Sequence, residues 1–204
     1  MLNWSIFDIC YLVFFVASFI IRFPHIKVSR KTKITKSQVD LSERAGLVLA
    51  FLGGMFLPLI YLFTPLFSFA DYAVPPVMGW TGALICLPAI WLFLRSHRDL
   101  GRQWSPKLEL REEHELITTG IYEYIRHPMY TSAFLAGLAQ LLLIGNWLVG
   151  PSYLVGFGIL YFSRIKREED FMAEQFGADY GAYKNKTNRL ISKAFLANVV
   201  RMGL

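Results

Sequence analysis

Residues 129–163 contain no Asp, Glu, Lys or Arg, and this uncharged run restricts the fold more than any other stretch of the chain. As a single helix its 35 residues would extend about 52 Å, whereas the hydrocarbon core of a bilayer is roughly 30 Å thick. Turn-forming residues interrupt the run at Gly145 and Asn146 and again at Gly150 and Pro151. The sequence therefore predicts a hairpin of two short apolar helices, with both of its ends on one face of a membrane.

The composition of the whole chain also indicates a membrane protein. Hydrophobic residues make up 54% of the chain, charged residues 18%, and the mean hydropathy of +0.39 is too high for an ordinary soluble domain. Three further apolar runs, residues 4–21, 45–69 and 77–94, precede the hairpin. We therefore expect an all-α integral membrane protein with about five transmembrane helices, of which the last two form the hairpin.

The basic residues are confined to three segments. All 21 Lys and Arg residues lie in residues 22–44, 95–126 and 164–201, and the polar breaks at residues 71–76 and 145–150 contain none. By the positive-inside rule the three basic segments are expected on the cytoplasmic side, and the N-terminus outside. Basic segments placed in this way also attract anionic membrane lipids, so we expect membrane lipids and no nucleic acid as partners.

The cysteines give no sign of a metal site or of a disulfide framework. Cys10 and Cys86 lie in apolar runs and have neither the spacing of metal ligands nor a CxxC pattern, so no metal is predicted. The first apolar run lacks the basic start and the cleavage site of a signal peptide, and we expect a retained helix. Its one acid, Asp8, is expected near the lipid headgroups.

Polar motifs flank the hairpin on both sides. Before it, Pro128 follows His127 and favours the first position of a helix, whose free N–H groups attract anions. After it, Arg164 and Glu168 are four residues apart, a spacing that alone indicates only a weak surface ion pair. The hairpin should bring a larger set of ionisable groups together where charge is costly to bury, namely Arg126, His127, Arg164, Glu168 and Glu169. Such a cluster predicts a site for a charged cofactor above an apolar cavity.

These motifs also resemble a known family. The stretch HELITTGIYEYIRHPMY, the apolar hairpin, and then RIKREEDFMAEQFGADYGAYKNKTNRLI closely resemble the isoprenylcysteine carboxyl methyltransferase family over residues 100–191. The N-terminal spans fit its small, five-helix microbial members. Related membrane methyltransferases and some sterol reductases share the Arg-His-Pro motif, so the resemblance depends on the combination of motifs.

The resemblance implies an S-adenosylmethionine-dependent methyltransferase with a cytoplasmic cofactor pocket. It implies an N-terminal three-helix transmembrane part, residues 1–95, and a C-terminal catalytic part, residues 96–204. It implies that the cofactor is bound by His114, Glu115, Leu116, Ile117, Tyr122, His127, Pro128, Met129 and Tyr130. The substrate end of the site falls on Arg164 and Glu168, which are expected to be the catalytic residues. The chain has isoleucine at Ile117, where the family pattern has valine. Many members carry a glycine or other small residue soon after the position of Tyr130, and Thr131 and Ser132 keep that small size.

The implied substrate is the carboxylate of a prenylated cysteine or of a similar isoprenoid lipid. Such a carboxylate, with a reference pKa of about 3.3–3.7, is ionised at neutral pH, so its methylation requires positioning rather than a strong general base. Arg164 is expected to hold the substrate carboxylate, and Glu168 to fix Arg164 or to stabilise the sulfonium. His127 and the helix start are expected to receive the carboxylate of the cofactor.

Other functions fit parts of the same pattern. A phospholipid N-methyltransferase would use the same cofactor, but its amine acceptor would need a base such as His127 or Glu168. An NADPH-dependent sterol-type reductase shares part of the C-terminal pattern, although the chain has few spans for that class. A non-enzymatic membrane scaffold or a small transporter would bind no cofactor.

Overall fold

The computed structural model describes residues 4–29, 34–37, 40–105, 109–111, 115–192 and 194. Within them, the chain forms six α-helices, a π-helical turn and one short sheet. The helices are α1 (Ile6–Ser29), α2 (Leu41–Phe51), α3 (Leu57–Phe63), α4 (Pro76–Leu100), α5 (Pro128–Leu143) and α6 (Ser152–Lys186). The π-helical turn, Leu52–Phe56, joins α2 to α3 so that they continue as one rod. Single 3-10 turns lie at Ser68–Ala70, Gly101–Gln103 and Gly120–Glu123.

Three of these segments are long and apolar enough to cross a membrane: Ile6–Ser29, Leu41–Phe63 and Pro76–Gln103. They correspond to the three predicted N-terminal spans, and the chain is an integral membrane protein. The predicted end of the first span at residue 21 was wrong, because α1 continues to Ser29. It continues because its side chains still face the protein beyond that point: Arg22 packs on Trp104, and Ile26 lines a cavity.

The predicted hairpin is confirmed. Helix α5 ends at Leu143 and α6 begins at Ser152. Asn146 closes the connection, since its Oδ1 accepts hydrogen bonds from the N–H groups of Leu148 (3.1 Å) and Val149 (2.9 Å). Helix α6 is longer than the predicted short helix, because it continues through Arg164 to Lys186. Its only non-helical residue is Gly177 (φ 51°, ψ −122°).

Close contact between α2 and α6 holds the hairpin against the N-terminal helices. A Cβ atom on Gly156 would lie 2.6 Å from the carbonyl oxygen of Leu49, and one on Gly53 would lie 2.4 Å from that of Ser152. Both distances are far below van der Waals contact, so only glycine permits this approach of the two backbones. The packing brings the N-terminal end of α2 beside the middle of α6, where Arg164 and Glu168 lie.

A two-stranded antiparallel sheet joins the α1–α2 connection to the α4–α5 connection. Strand β1 (Ile34–Ser37) pairs with β2 (Glu109–Arg111), with Ile34 opposite Arg111 and Ser37 opposite Glu109. The fold is thus helical apart from one short sheet, which the expected all-α class did not include. The predicted boundary between residues 95 and 96 falls inside α4, and the division into two parts stays a prediction.

Contacts at the two ends of the helices show an up-and-down arrangement. At one end, Trp4 of the N-terminal segment donates a hydrogen bond from Nε1 to the carbonyl oxygen of Leu62 (2.7 Å), and the N–H of Tyr72 donates to the oxygen of Gly145 (2.8 Å). At the other end lie the sheet and an ion pair between Asp40 and Arg167. The predicted basic segments therefore gather at a single end of the helices.

Candidate active site

The segment Arg126-His127-Pro128, here called the Arg-His-Pro corner, forms the predicted helix start. Pro128 is the first residue of α5, and His127 precedes it in a non-helical conformation (φ −124°, ψ 59°). The N–H groups of Arg126 and His127 each donate a 2.9 Å hydrogen bond to the tail after α6, at the carbonyl oxygens of Asn188 and Arg189. The tail therefore lies against the Arg-His-Pro corner and fixes its backbone.

The start of α5 offers less to an anion than the sequence suggested. The N–H groups of Tyr130 and Thr131 already donate to the carbonyl oxygen of His127, at 3.0 and 3.2 Å, and Pro128 has no N–H. Most of the first turn is therefore satisfied within the helix. At this corner the His127 side chain, rather than the backbone, is the group that can meet a ligand.

Glu169 binds the basic residues around the corner. Its Oε1 lies 3.1 Å from Nη2 of buried Arg126, and Arg189 donates to both of its oxygens, at 2.9 and 2.7 Å. The carboxylate is almost fully buried, with 2% of its side chain exposed. Burial raises the pKa of Glu169, but the nearby His127 ring, 3.5 Å away, and hydrogen bonds from Arg189 and Arg126 outweigh it and hold the pKa well below its usual value. Glu169 is thus a buried structural anion.

Glu168 forms a second cluster, with Arg164 and Tyr130. The Nε atom of Arg164 lies 3.0 Å from Glu168 Oε2, and the hydroxyl of Tyr130 donates to the same carboxylate. Burial raises the pKa of Glu168, but the positive charge of Arg164 and these hydrogen bonds outweigh it, so that the pKa is lowered. Glu168 is therefore ionised at neutral pH and is a weak base.

Arg164 also contacts a residue that sequence analysis missed. Its Nη1 lies 3.4 Å from Oε1 of Glu43, which is fully buried on α2. Arg164 thus lies between two carboxylates, one from each half of the chain. Glu43 lies in the basic segment 22–44, and local patterning gives no signal for a partner so far along the chain.

A cavity of about 220 Å³ opens between these elements. Most of the residues that the family resemblance had implied line it: Glu115, Leu116, Ile117, Tyr122, His127, Met129, Tyr130, Arg164 and Glu168. Pro128 is buried beside the cavity and does not line it. His114 lies outside the described residues. The roles of these residues stay predictions, but the fold brings them to one place.

Tyr122 is held on the cavity wall by contacts of its segment with both α4 and α6. The preceding Gly120 has φ 63°, and the next N–H, of Ile121, donates to Asp99 Oδ2 (2.8 Å) at the end of α4. The carbonyl oxygen of Tyr122 accepts a 2.6 Å hydrogen bond from the Tyr183 hydroxyl after the Gly177 kink. The end of α4 and the end of α6 together fix the wall.

A second, larger cavity lies beside the first. Its volume is about 750 Å³, and mainly apolar residues of α1, α2, α5 and α6 surround it. The two cavities share a wall, defined by the residues that line both: Arg22, Leu47, Phe93, Trp104, Ala133, Tyr153, Phe157 and Leu160. The arrangement places a polar chamber at the basic end of the helices next to an apolar chamber among them.

Residues 82–174 match the isoprenylcysteine carboxyl methyltransferase (ICMT) family. The protein-S-isoprenylcysteine O-methyltransferase of Dictyostelium discoideum is 38% identical over 80 residues, which cover 37% of this chain and 32% of that protein. The corresponding protein of Schizosaccharomyces pombe is 33% identical over 75 residues (37% and 32%), and that of Homo sapiens 30% over 78 (38% and 28%).

The similarity to these proteins is concentrated in one part of the chain. The aligned segment spans about a third of the length of the curated relatives. The family segment, residues 82–174, contains the Arg-His-Pro corner and the Arg164–Glu168 pair. Two residues of the cavity region, Arg22 and Glu43, lie outside it.

Proposed function

We propose that this chain is an S-adenosylmethionine-dependent O-methyltransferase acting on the carboxylate of a prenylated cysteine or a similar isoprenoid lipid. The observation that carries the proposal is the wall shared by the two cavities. On one side of this wall lies a polar chamber, bordered by His127, Arg164 and Glu168. On the other side lies an apolar chamber large enough for a lipid chain. A substrate with an apolar tail and a charged end matches this pair of chambers.

The residues of the polar chamber suit a cationic cofactor. The carboxylate of Glu168 and the aromatic rings of Tyr122 and Tyr130 can all stabilise a sulfonium. His127 would meet the cofactor's own carboxylate. When bound, S-adenosylmethionine would supply a methyl group on a positively charged sulfur.

The chain's own residues would position the acceptor rather than activate it. One acceptor oxygen forms a bond to the methyl carbon as the carbon–sulfur bond breaks, and no proton is transferred. Glu43 and Glu168 hold the Arg164 guanidinium from two sides, so its direction is set before any substrate binds. Since the anionic acceptor and the cationic donor neutralise each other, the surrounding apolar residues favour the reaction by excluding water.

The low pKa of Glu168 argues against an amine acceptor. A phospholipid N-methyltransferase must remove a proton from the amine, and a carboxylate whose pKa is lowered does this poorly. Methylation of a carboxylate requires no such base. As far as Glu168 is concerned, O-methylation is therefore the better match, and an amine acceptor would have to use His127 as its base.

We also infer that the polar chamber faces the cytoplasm and that the N-terminus lies outside. All the basic segments lie at the end of the helices where β1 pairs with β2. Basic residues favour the cytoplasmic side of a membrane. Helix α5 and the apolar part of α6 would then form a hairpin that enters the membrane from the cytoplasmic side and returns to the same side. Cysteines introduced at Trp147 and at Glu123, which are exposed at opposite ends of the helices, would test this orientation by labelling from each side of the membrane.

Purified protein in detergent can test the proposed function directly. We expect S-adenosylhomocysteine to bind in calorimetry, and labelled methyl groups to pass to N-acetyl-S-farnesylcysteine but not to phosphatidylethanolamine. Arg164→Ala and Glu168→Ala should each lower turnover at least about hundredfold, since each removes a charged contact. If methyl groups passed only to phosphatidylethanolamine, the proposed acceptor would be wrong. If NADPH bound and S-adenosylhomocysteine did not, the proposed class of reaction would be wrong.

A further inference from the structure

Arg22 occupies the wall between the polar and the apolar chamber. It is half-buried on α1 and lines both cavities. Its Cζ lies 5.4 Å from the ring centroid of Trp104 and 5.9 Å from that of Phe93, so two aromatic residues flank the guanidinium. These contacts fix the position of a charge in otherwise apolar surroundings.

The charge of Arg22 differs from the other arginine charges around the polar chamber. Arg126 is paired with Glu169, and Arg164 with Glu43 and Glu168. Among the described residues, Arg22 forms no ion pair with a carboxylate. Aromatic rings offset only part of the cost of removing a guanidinium from water. The wall between the chambers therefore carries a cation that lacks an anionic partner within the described part of the chain.

We propose that Arg22 binds the carboxylate of the lipid acceptor and positions it at the wall between the two chambers. This rests on the proposed function. An acceptor whose tail fills the apolar chamber would bring its charged end to this wall, beside the polar chamber that is proposed for the cofactor. A guanidinium matches a carboxylate through two parallel N–H donors, and Trp104 and Phe93 restrict its movement. Arg22 would thus select acidic acceptors over neutral lipids of the same shape.

The test compares N-acetyl-S-farnesylcysteine with its neutral methyl ester, by calorimetry in the presence of S-adenosylhomocysteine. Wild-type protein should bind the acid about ten- to hundredfold more tightly than the ester. Arg22→Gln should abolish this preference, because it should weaken binding of the acid and leave binding of the ester unchanged. Arg22→Lys should keep part of the preference. The matched control is Lys27→Gln, which removes a positive charge from the same helix at an exposed position that does not line the cavities.

Binding of S-adenosylhomocysteine to each variant distinguishes the possible results. We expect Arg22→Gln to leave it unchanged within about twofold, which also shows that the fold is intact. Weaker binding of S-adenosylhomocysteine would overturn the proposal, because Arg22 would then serve the cofactor or the fold. An acid preference that survives Arg22→Gln overturns this inference alone. If wild-type protein binds neither lipid, the proposed acceptor class fails and this inference fails with it.

Discussion

Glu43 Oε1 lies 3.4 Å from Arg164 Nη1, and this ion pair joins the N-terminal helices to the segment shared with the family. Both side chains are buried, so the pair is shielded from competing water and salt. On the opposite side of the guanidinium, Glu168 makes the second contact. The direction of Arg164 therefore depends on a residue that the family segment does not contain.

Glu43→Gln tests this dependence. The substitution preserves the shape but removes the charge, so Arg164 should lose part of its fixed direction. We expect the turnover number to fall at least about tenfold, a loss of roughly 1.4 kcal/mol, with a smaller change in cofactor affinity. Steady-state kinetics and calorimetry measure the two effects. Glu123→Gln, at an exposed position, is the control, and a Glu43→Gln enzyme with wild-type turnover would refute the positioning role.

Tyr130→Phe removes the hydroxyl that donates to Glu168 but retains the ring. A hydrogen bond to a charged group contributes about 1.5–3 kcal/mol, so we expect turnover to fall about tenfold or more if the carboxylate must be held. The fold should remain, because the ring still packs on Phe157 and Tyr161. Single-turnover methylation measures the chemical step. Unchanged single-turnover rates would mean that Arg164 alone suffices to orient Glu168.

Glu169→Gln should affect stability more than the reaction. Its carboxylate is buried against Arg126 and Arg189, and breaking such a cluster costs about 3–5 kcal/mol. We expect a clear decrease in the unfolding temperature in detergent, whereas Asp179→Asn, exposed on the same helix, should have little effect. An unchanged unfolding temperature would show that Glu169 does not hold the corner.

The same residue predicts a pH dependence. Because the folded state holds the pKa of Glu169 below the unfolded value, its stabilising effect is present at neutral pH and is lost on acidification. The loss should begin below a pH of about 4–5, where the unfolded carboxyl takes up a proton. Wild-type unfolding temperature should therefore fall more steeply in acid than that of Glu169→Gln. Parallel curves for the two proteins would contradict this assignment.

Gly156→Ala tests the close approach of α6 to α2. The new methyl group would lie 2.6 Å from the carbonyl oxygen of Leu49, so the helices must separate and the unfolding temperature should fall. Gly158→Ala is the matched control on the same helix, because no atom lies within 4 Å of its added Cβ. The control should be neutral or slightly stabilising, since alanine favours helices over glycine. Equal effects of both substitutions would mean that helix propensity dominates.

The sequence sufficed for the parts of the fold that depend on local patterning. Hydrophobic runs predicted the apolar helices, and the turn residues near Asn146 predicted the hairpin, which explains why the Arg-His-Pro corner meets Glu168. The Glu43–Arg164 pair was not predictable in this way, because it depends on how α2 packs on α6.

Arg22 was missed for a related reason. A basic residue at the end of an apolar run suggests a loop, and only the fold reveals that α1 continues and that Trp104 receives the side chain.

The chain after α6 has a practical consequence for any shortened version of the protein. Asn188 and Arg189 supply the carbonyl groups that accept from the backbone of Arg126 and His127, and Leu190 accepts from the Thr131 hydroxyl. A truncation that ends at Lys186, where α6 ends, would strip the Arg-His-Pro corner of these acceptors. Any cut designed for crystallisation should therefore fall beyond Leu190.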